Sequence, residues 1–230
     1  EQLLRKLSRY KAKDKPYLTL RENKVFLENK KSNEAVSVNY TRYGKYVRFK
    51  DSADYWNEIR SNTNPDSSYI ILNQKMYTKN GYNILDIDYT DTGCTYAVKQ
   101  RTIQRNAVVY NLTTLYNHKT GPAPFITRFY ETFTPKDTTI GEPLFGDNAK
   151  LILDDLHSSD SATRAEAHKS LRSVRVGKAD YKIWTAAIDT LQPENEDYFD
   201  YKSGMITELW EIKTQENVDY LSKLYKKAGD

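Results

Sequence analysis

The sequence predicts an α+β fold: an antiparallel sheet with packed helices, followed by an all-helical region arranged as a HEAT-like stack or a bundle. Three observations carry this expectation. The first half, Tyr17 to His118, reads mostly as short β-prone runs between turn signals. Beyond residue 146 the period becomes 3.6. The charge also divides, with +9 over residues 1–135 and −5 over residues 136–230 of a 230-residue chain whose net charge is +4. A split of that kind suggests two units with different surfaces. The expected domains are a sheet domain at residues 1–136 and a helical domain of five helices at residues 146–230.

The segment EQLLRKLSRYKAKDK comes first, with a small apolar face at Leu3, Leu4 and Leu7. It reads as a helix left over from a preceding unit, or as a basic linker. Two short β-prone runs follow, Tyr17 to Leu20 and Lys24 to Asn29. The stretch AVSVNYTRYGKYVRF, Ala35 to Phe49, reads as one half-buried strand, with Val36, Val38 and Tyr40 on one face and Ser37, Asn39 and Thr41 on the other. DSADYWNEIRS then changes period. Asp51 or Ser52 can cap a short helix whose apolar face is Tyr55, Trp56 and Ile59, and NPDSS ends it in a turn.

The clearest hairpin pairs Tyr69–Thr78 with Tyr82–Tyr89 across Asn80-Gly81, a dipeptide suited to the positive φ angles of a type I′ turn. A second hairpin turns near Arg105-Asn106. In GPAPFITRFYETFTPKD, Pro122 and Pro124 suit a first helical turn, where the missing N–H has no partner to lose. Phe125, Phe129 and Phe133, with Ile126 and Tyr130, form one broad apolar face expected to pack on the sheet. Pro135 stops the helix, and residues 136–146 read as a linker.

Five amphipathic helices follow, with Asp147, Asp160 and Asp180 at or before the starts of the first three. Pairs spaced 37–38 residues apart, Val174/Ile212, Trp184/Leu221 and Ile188/Tyr225, trace a faint internal repeat.

Composition narrows the functional classes. Charged residues make up 29% and hydrophobic residues 38%, a globular mix. No apolar run approaches the roughly 20 residues of a membrane helix. Glu1 opens the chain in place of Met, which reads as a mature or truncated form. The single cysteine, Cys94, excludes an internal disulfide and reads as a half-buried strand residue.

Carboxylates gather in DIDYTD, where Asp86 and Asp88 share a strand face and Asp91 lies in the following turn. Three such groups suit a hard cation, but the calcium-loop spacing is missing and solvated positions near a turn are expected. A hydrolase site on this pair is the weaker alternative. DDLHSSD, with Asp154, Asp155, His157 and Asp160, and His168 further on, lacks zinc-ligand spacing and reads as a helix end and a cap. His118 reads as a turn residue. No phosphate loop, dinucleotide fingerprint or nucleophile elbow appears, so neither cofactor nor metal is expected.

The remaining candidate is a basic, tyrosine-rich face: Tyr40, Arg42, Tyr43, Lys45, Tyr46 and Arg48, joined by Lys99 and Arg101 from another strand. Aromatic and cationic mixtures serve protein interfaces. Basic grooves with stacking rings also bind single-stranded nucleic acid, which stands as the other alternative.

The span from NGYNILDIDY through GPAPFITRFYETFTP resembles the PsbP/Mog1-like α/β sandwich, with the matching positions at Lys79 to Tyr82, Arg101 to Tyr110 and Phe125 to Phe133. In the secreted bacterial proteins that it resembles, helical repeats follow the sheet domain, as DNAKLILDDLHSSDSATRAEAHKSL would here. The resemblance implies a cell-envelope or secreted location and a partner-binding or scaffold role, and it supplies no catalytic residues.

Overall fold

The computed structural model describes residues 19–31, 34–49, 51–63, 69–136, 140–146, 148–171, 174, 176–191 and 198–228. The expected helix at Leu3, Leu4 and Leu7, the strand start at Tyr17, the turn at residues 64–68 and the cap at Asp147 lie outside these residues. The chain divides into two compact units, Glu1–Lys45 with Ala53–Leu144, and Tyr46–Ser52 with Phe145–Asp230. The described residues hold a six-stranded antiparallel sheet and seven α-helices, an α+β protein.

The sheet contains β1 (Thr19–Asn29), β2 (Glu34–Tyr43), β3 (Ile70–Lys79), β4 (Tyr82–Thr90), β5 (Tyr96–Arg105) and β6 (Val108–Asn117) in the order β1-β2-β6-β5-β4-β3. The β3–β4 hairpin turns on Asn80 and Gly81, both at positive φ (52° and 76°), as the type I′ signal requires. The β5–β6 turn uses Asn106 at φ 48°. Between β2 and β3 runs helix α1 (Ser52–Thr63), which carries the chain to the far edge of the sheet, and the meander β3–β6 then works back to β2.

Side-chain parity splits the sheet into two faces. The first carries Val36, Leu112, Ile103 and Ile84, and helix α2 (Pro124–Thr132) covers it with Ile126 and Tyr130 fully buried. Phe125, Phe129 and Phe133 pack around them partly buried, a ring-to-ring chain with centroids 5.7–6.5 Å apart. The expected aromatic row is therefore core-facing, with its deepest contacts one residue on from Phe125 and Phe129. The second face carries Leu85 and Ile87. Here α1 buries Tyr55 and Trp56, and its Arg60 Nη2 lies 3.7 Å from Met76 Sδ, the residue paired with Leu85.

Two expectations about the chain path are corrected. The strand does not run from Ala35 to Phe49. It ends at Tyr43, and Gly44, Lys45 and Tyr46 turn away. Tyr46 gains more by burial among the helices, where its hydroxyl donates to Asp155 Oδ2 at 2.8 Å. Nor are residues 140–144 a free linker. Ala107 N donates to Ile140 O at 3.0 Å, Asn106 Nδ2 donates to Gly141 O at 3.0 Å, and Leu144 is buried.

Gly141 sits at φ +67°, and a Cβ there would meet the Ala107 methyl at 2.9 Å. Gly141→Ala is therefore expected to cost about 1–3 kcal/mol in strain and contact, measured as a lower urea midpoint. An unchanged midpoint would show that this strap is not held against the β5–β6 turn.

The helical unit contains α3 (Ala149–Leu156), α4 (Ser161–Ser170), α5 (Tyr181–Thr190), α6 (Tyr198–Glu208) extended by a 3₁₀ turn (Leu209–Glu211), and α7 (Gln215–Ala228). Helix α3 packs on α4 and α5, and α5 packs on α6. Ile152, Leu171, Val174, Trp184, Ile188, Met205 and Leu209 fill the core. Asp160 caps α4 as expected, accepting from Thr163 N at 3.0 Å and Ala162 N at 3.4 Å. Hydrogen bonds to Thr163 hold its carboxyl below the usual range. Asn148 precedes α3 without capping it and donates its side-chain amide to Tyr46 O instead. Of the spaced pairs, Val174 and Ile212 are both buried, but Ile188 is buried while Tyr225 is 84% exposed. The 37-residue spacing thus does not place equivalent side chains equivalently.

Candidate functional site

The acidic pair meets two members of the basic set, Lys99 and Arg101. Asp86 and Asp88 are two residues apart on β4, so they share a face, and Lys99 and Arg101 do the same on β5. The register sets Asp86 opposite Arg101 and Asp88 opposite Lys99. Opposite charges directly across an antiparallel pair attract. Arg101 is bidentate, with Nε to Asp86 Oδ1 at 2.6 Å and Nη2 to Oδ2 at 2.8 Å. Lys99 Nζ lies 3.1 Å from both oxygens of Asp88. Each carboxylate also accepts from a tyrosine at 3.3 Å, Tyr77 for Asp86 and Tyr116 for Asp88.

Helix α2 closes this network from above. The Tyr130 hydroxyl donates to Lys99 O at 2.9 Å, and its carbonyl accepts from Arg101 Nη1. The ring centroid lies 5.3 Å from Arg101 Cζ and 5.5 Å from Lys99 Nζ, within cation–π range.

Asp86 and Asp88 are therefore not solvated turn residues: both are buried. A carboxylate leaves water only when its charge is matched and its oxygens are hydrogen-bonded, and the opposite strand supplies both. Burial lowers the affinity of Arg101 for its proton, but the hydrogen bond and charge of Asp86 outweigh that and leave its pKa above the ordinary value. Burial, then the charge of Asp88, push Tyr116 up to about 12. Tyr77 is raised by burial and by Asp86, and Tyr130 by burial, against the opposing charge of Arg101.

A phenol whose folded pKa exceeds its unfolded value near 10 adds stability that is complete below that pH and lost as the pH climbs through the folded value. The sheet unit is accordingly expected to weaken between pH 10 and about 12, and Tyr116→Phe should flatten part of that slope. Urea midpoints across this range check it, and a flat profile in the parent protein would mean that the phenols are not in this network.

Beside the network is a small cleft of about 50 Å³, lined by Tyr77, Lys79, Asn80, Arg101, Tyr130 and Glu131 among others. Its volume admits a few waters. With its oxygens taken by Arg101 and Tyr77, Asp86 is placed to fasten α2 to the sheet.

The other sequence candidates are dispersed. Tyr40 lies on the α2 face, its ring 5.1 Å from Tyr110. Arg42 follows on that parity at the end of β2, opposite Val108. Tyr43 has the opposite parity, with its N–H donating to Ala107 O at 2.9 Å. Lys45 is half-buried just beyond the strand. Tyr46 and Arg48 are buried in the helical unit. Thus the eight residues do not form one basic face: Tyr40 and Arg42 share a face with Lys99 and Arg101, Tyr43 takes the opposite parity, and Lys45, Tyr46 and Arg48 lie beyond the end of the strand.

Cys94 is exposed in the β4–β5 turn and not half-buried in a strand, and its carbonyl lies 2.9 Å from His118 Nε2. Among the described residues no group of three or more His, Cys, Asp or Glu is placed to hold a metal ion. No helix there is long and apolar enough to cross a membrane.

Sequence reading missed the exposed edge of the sheet. Ile70, Ile71, Leu72 and Met76 on β3 are 41–49% exposed, and β3 is the last strand in the order. The signal was present: from Tyr69 to Gly81 the chain carries apolar residues and two lysines and no carboxylate.

No protein-family model and no curated protein matches this chain. Among solved structures it overlaps the crystal structure of a Pseudomonas aeruginosa protein of unknown function, described as a candidate regulator. The TM-score is 0.36 and the identity 16%, over 51% of this chain and 85% of that one. An overlap this loose carries no argument.

Proposed function

We propose that this protein is a non-enzymatic interaction or scaffold component of a cell-envelope or secreted assembly, and that its sheet unit is a partner-binding module. The exposed apolar edge of β3 supports this reading best. Four large apolar side chains are 41–49% exposed along a ten-residue strand with a free outer edge among the described residues. Long exposed apolar edges are avoided where nothing is to pair with them. The resemblance to PsbP/Mog1-like sheets followed by HEAT-like helices points the same way, since such domains bind partners. The internal pairing of Asp86 and Asp88 with Arg101 and Lys99 gives that module a rigid platform.

The test is affinity purification of the full-length protein from its native cells, with fractionation and mass spectrometry. A stoichiometric protein partner in an extracytoplasmic fraction is expected. Recovery from the cytoplasm without a partner, or with single-stranded nucleic acid bound in a steeply salt-dependent way, would overturn the reading.

A further inference from the structure

We infer that the outer edge of β3 accepts an extended, acidic and apolar segment of another protein as a seventh strand of the sheet. This inference rests on the reading of the protein as an interaction module and says which surface and which chemistry that module uses.

The argument begins with the backbone. β3 pairs with β4 on one side, and no described strand pairs with it on the other. Its register is broken only between Ile71 and Asn73, so Asn73 to Lys79 run in unbroken pairing with Asp88 to Tyr82. A regular edge of that length presents its outward N–H and C=O groups as a template for one more strand.

Charge then selects the occupant. Lys75 and Lys79 share one face of β3, and the strand has no carboxylate. Lys75 stands opposite Asp86, but both oxygens of Asp86 are taken by Arg101 at 2.6 and 2.8 Å. Lys75 lies instead over the Tyr77 ring, 5.5 Å from its centroid, and makes no salt bridge among the described residues. A carboxylate on an added strand, across from Lys75, would supply the partner that β4 withholds. On the other face Met76 is 43% exposed and would meet an apolar side chain, as it meets Leu85 of β4 on the inner side. The strand that already fits β3, with alternating apolar and acidic residues in NILDIDYT, therefore shows the chemistry that the outer edge would take.

The probe is an end-blocked synthetic peptide of sequence YNILDIDYT, titrated against the full-length protein by fluorescence anisotropy. Saturable binding in the micromolar range is expected. Lys75→Glu with Lys79→Glu should weaken it on the order of tenfold, and a peptide with both aspartates replaced by lysine should recover binding to that variant. Lys119→Glu, in the turn after β6, should change nothing. No binding by the parent protein, or equal affinity for both peptides, would overturn the assignment.

Sedimentation of the protein alone separates the other occupant. A dimer that Met76→Lys dissolves would place a second copy on this edge and overturn the inference. If a co-purifying partner is retained by the Lys75→Glu, Lys79→Glu protein, the β3 assignment falls while the interaction reading stands.

Discussion

Replacing Arg101 with alanine is expected to destabilise the sheet unit by about 3–5 kcal/mol, the cost of leaving one member of a buried ion pair alone. The side chain of Asp86 is only 12% exposed and faces Arg101 in a bidentate pair. Without the guanidinium its charge keeps only the Tyr77 hydroxyl at 3.3 Å. The Tyr130 carbonyl also loses its donor, which loosens α2. Asp86→Leu combined with Arg101→Met should cost far less than either single change, because it removes both charges and keeps the volume. The measurement is hydrogen exchange at the amides of β4 and β5, with urea unfolding followed alongside, since a chain of two units need not unfold in one step. If Arg101→Ala cost less than about 1 kcal/mol, the value of an exposed pair, the burial of this network would be wrong.

The same pair shows how far sequence reading reaches. Strand parity placed Asp86 with Asp88, and the Asn80-Gly81 and Arg105-Asn106 turns located both hairpins. Parity fixes which residues share a face. It does not say which strand lies across from them, so from sequence alone the acidic pair and the basic pair read as separate surfaces, one solvated and one binding. The matching spacing of Asp86/Asp88 and Lys99/Arg101 was the available clue, because cross-strand neighbours in an antiparallel pair keep step two by two. The helices were legible for a related reason: their apolar period depends on the local chain alone.

Tyr46 illustrates the other limit. Alternation holds over Val36, Val38 and Tyr40; beyond it Arg42 and Gly44 take the apolar parity before Tyr46, and they are the local marks of a break. What moves Tyr46 into the helical unit is a core of residues more than a hundred positions away, with Asp155 as its hydroxyl's acceptor and Asn148 donating to its carbonyl. Such a destination is a property of packing, not of local pattern. The exposed edge of β3 is hidden from local pattern for the same reason, since an apolar run reads as core until the strand order puts it last.

In the helical unit, Trp184→Ala is expected to cost about 3–5 kcal/mol. Trp184 is fully buried, among the largest side chains to be so, and its Nε1 donates to Met205 O at 2.8 Å. The ring joins α5 to α6, within the core that Ile152, Leu171, Ile188 and Leu209 complete. Truncation removes the transfer energy of the indole and leaves a cavity that rigid helices close only partly. Trp184→Phe separates the two contributions. It retains most of the apolar area and loses the hydrogen bond, so its cost beyond the volume change should be about 1 kcal/mol. Exchange at the α5 and α6 amides reads the effect where it arises. Equal losses for Ala and Phe would mean that the indole N–H, and not the packed ring, holds α5 to α6. Small losses for both would mean that Trp184 is not in the core.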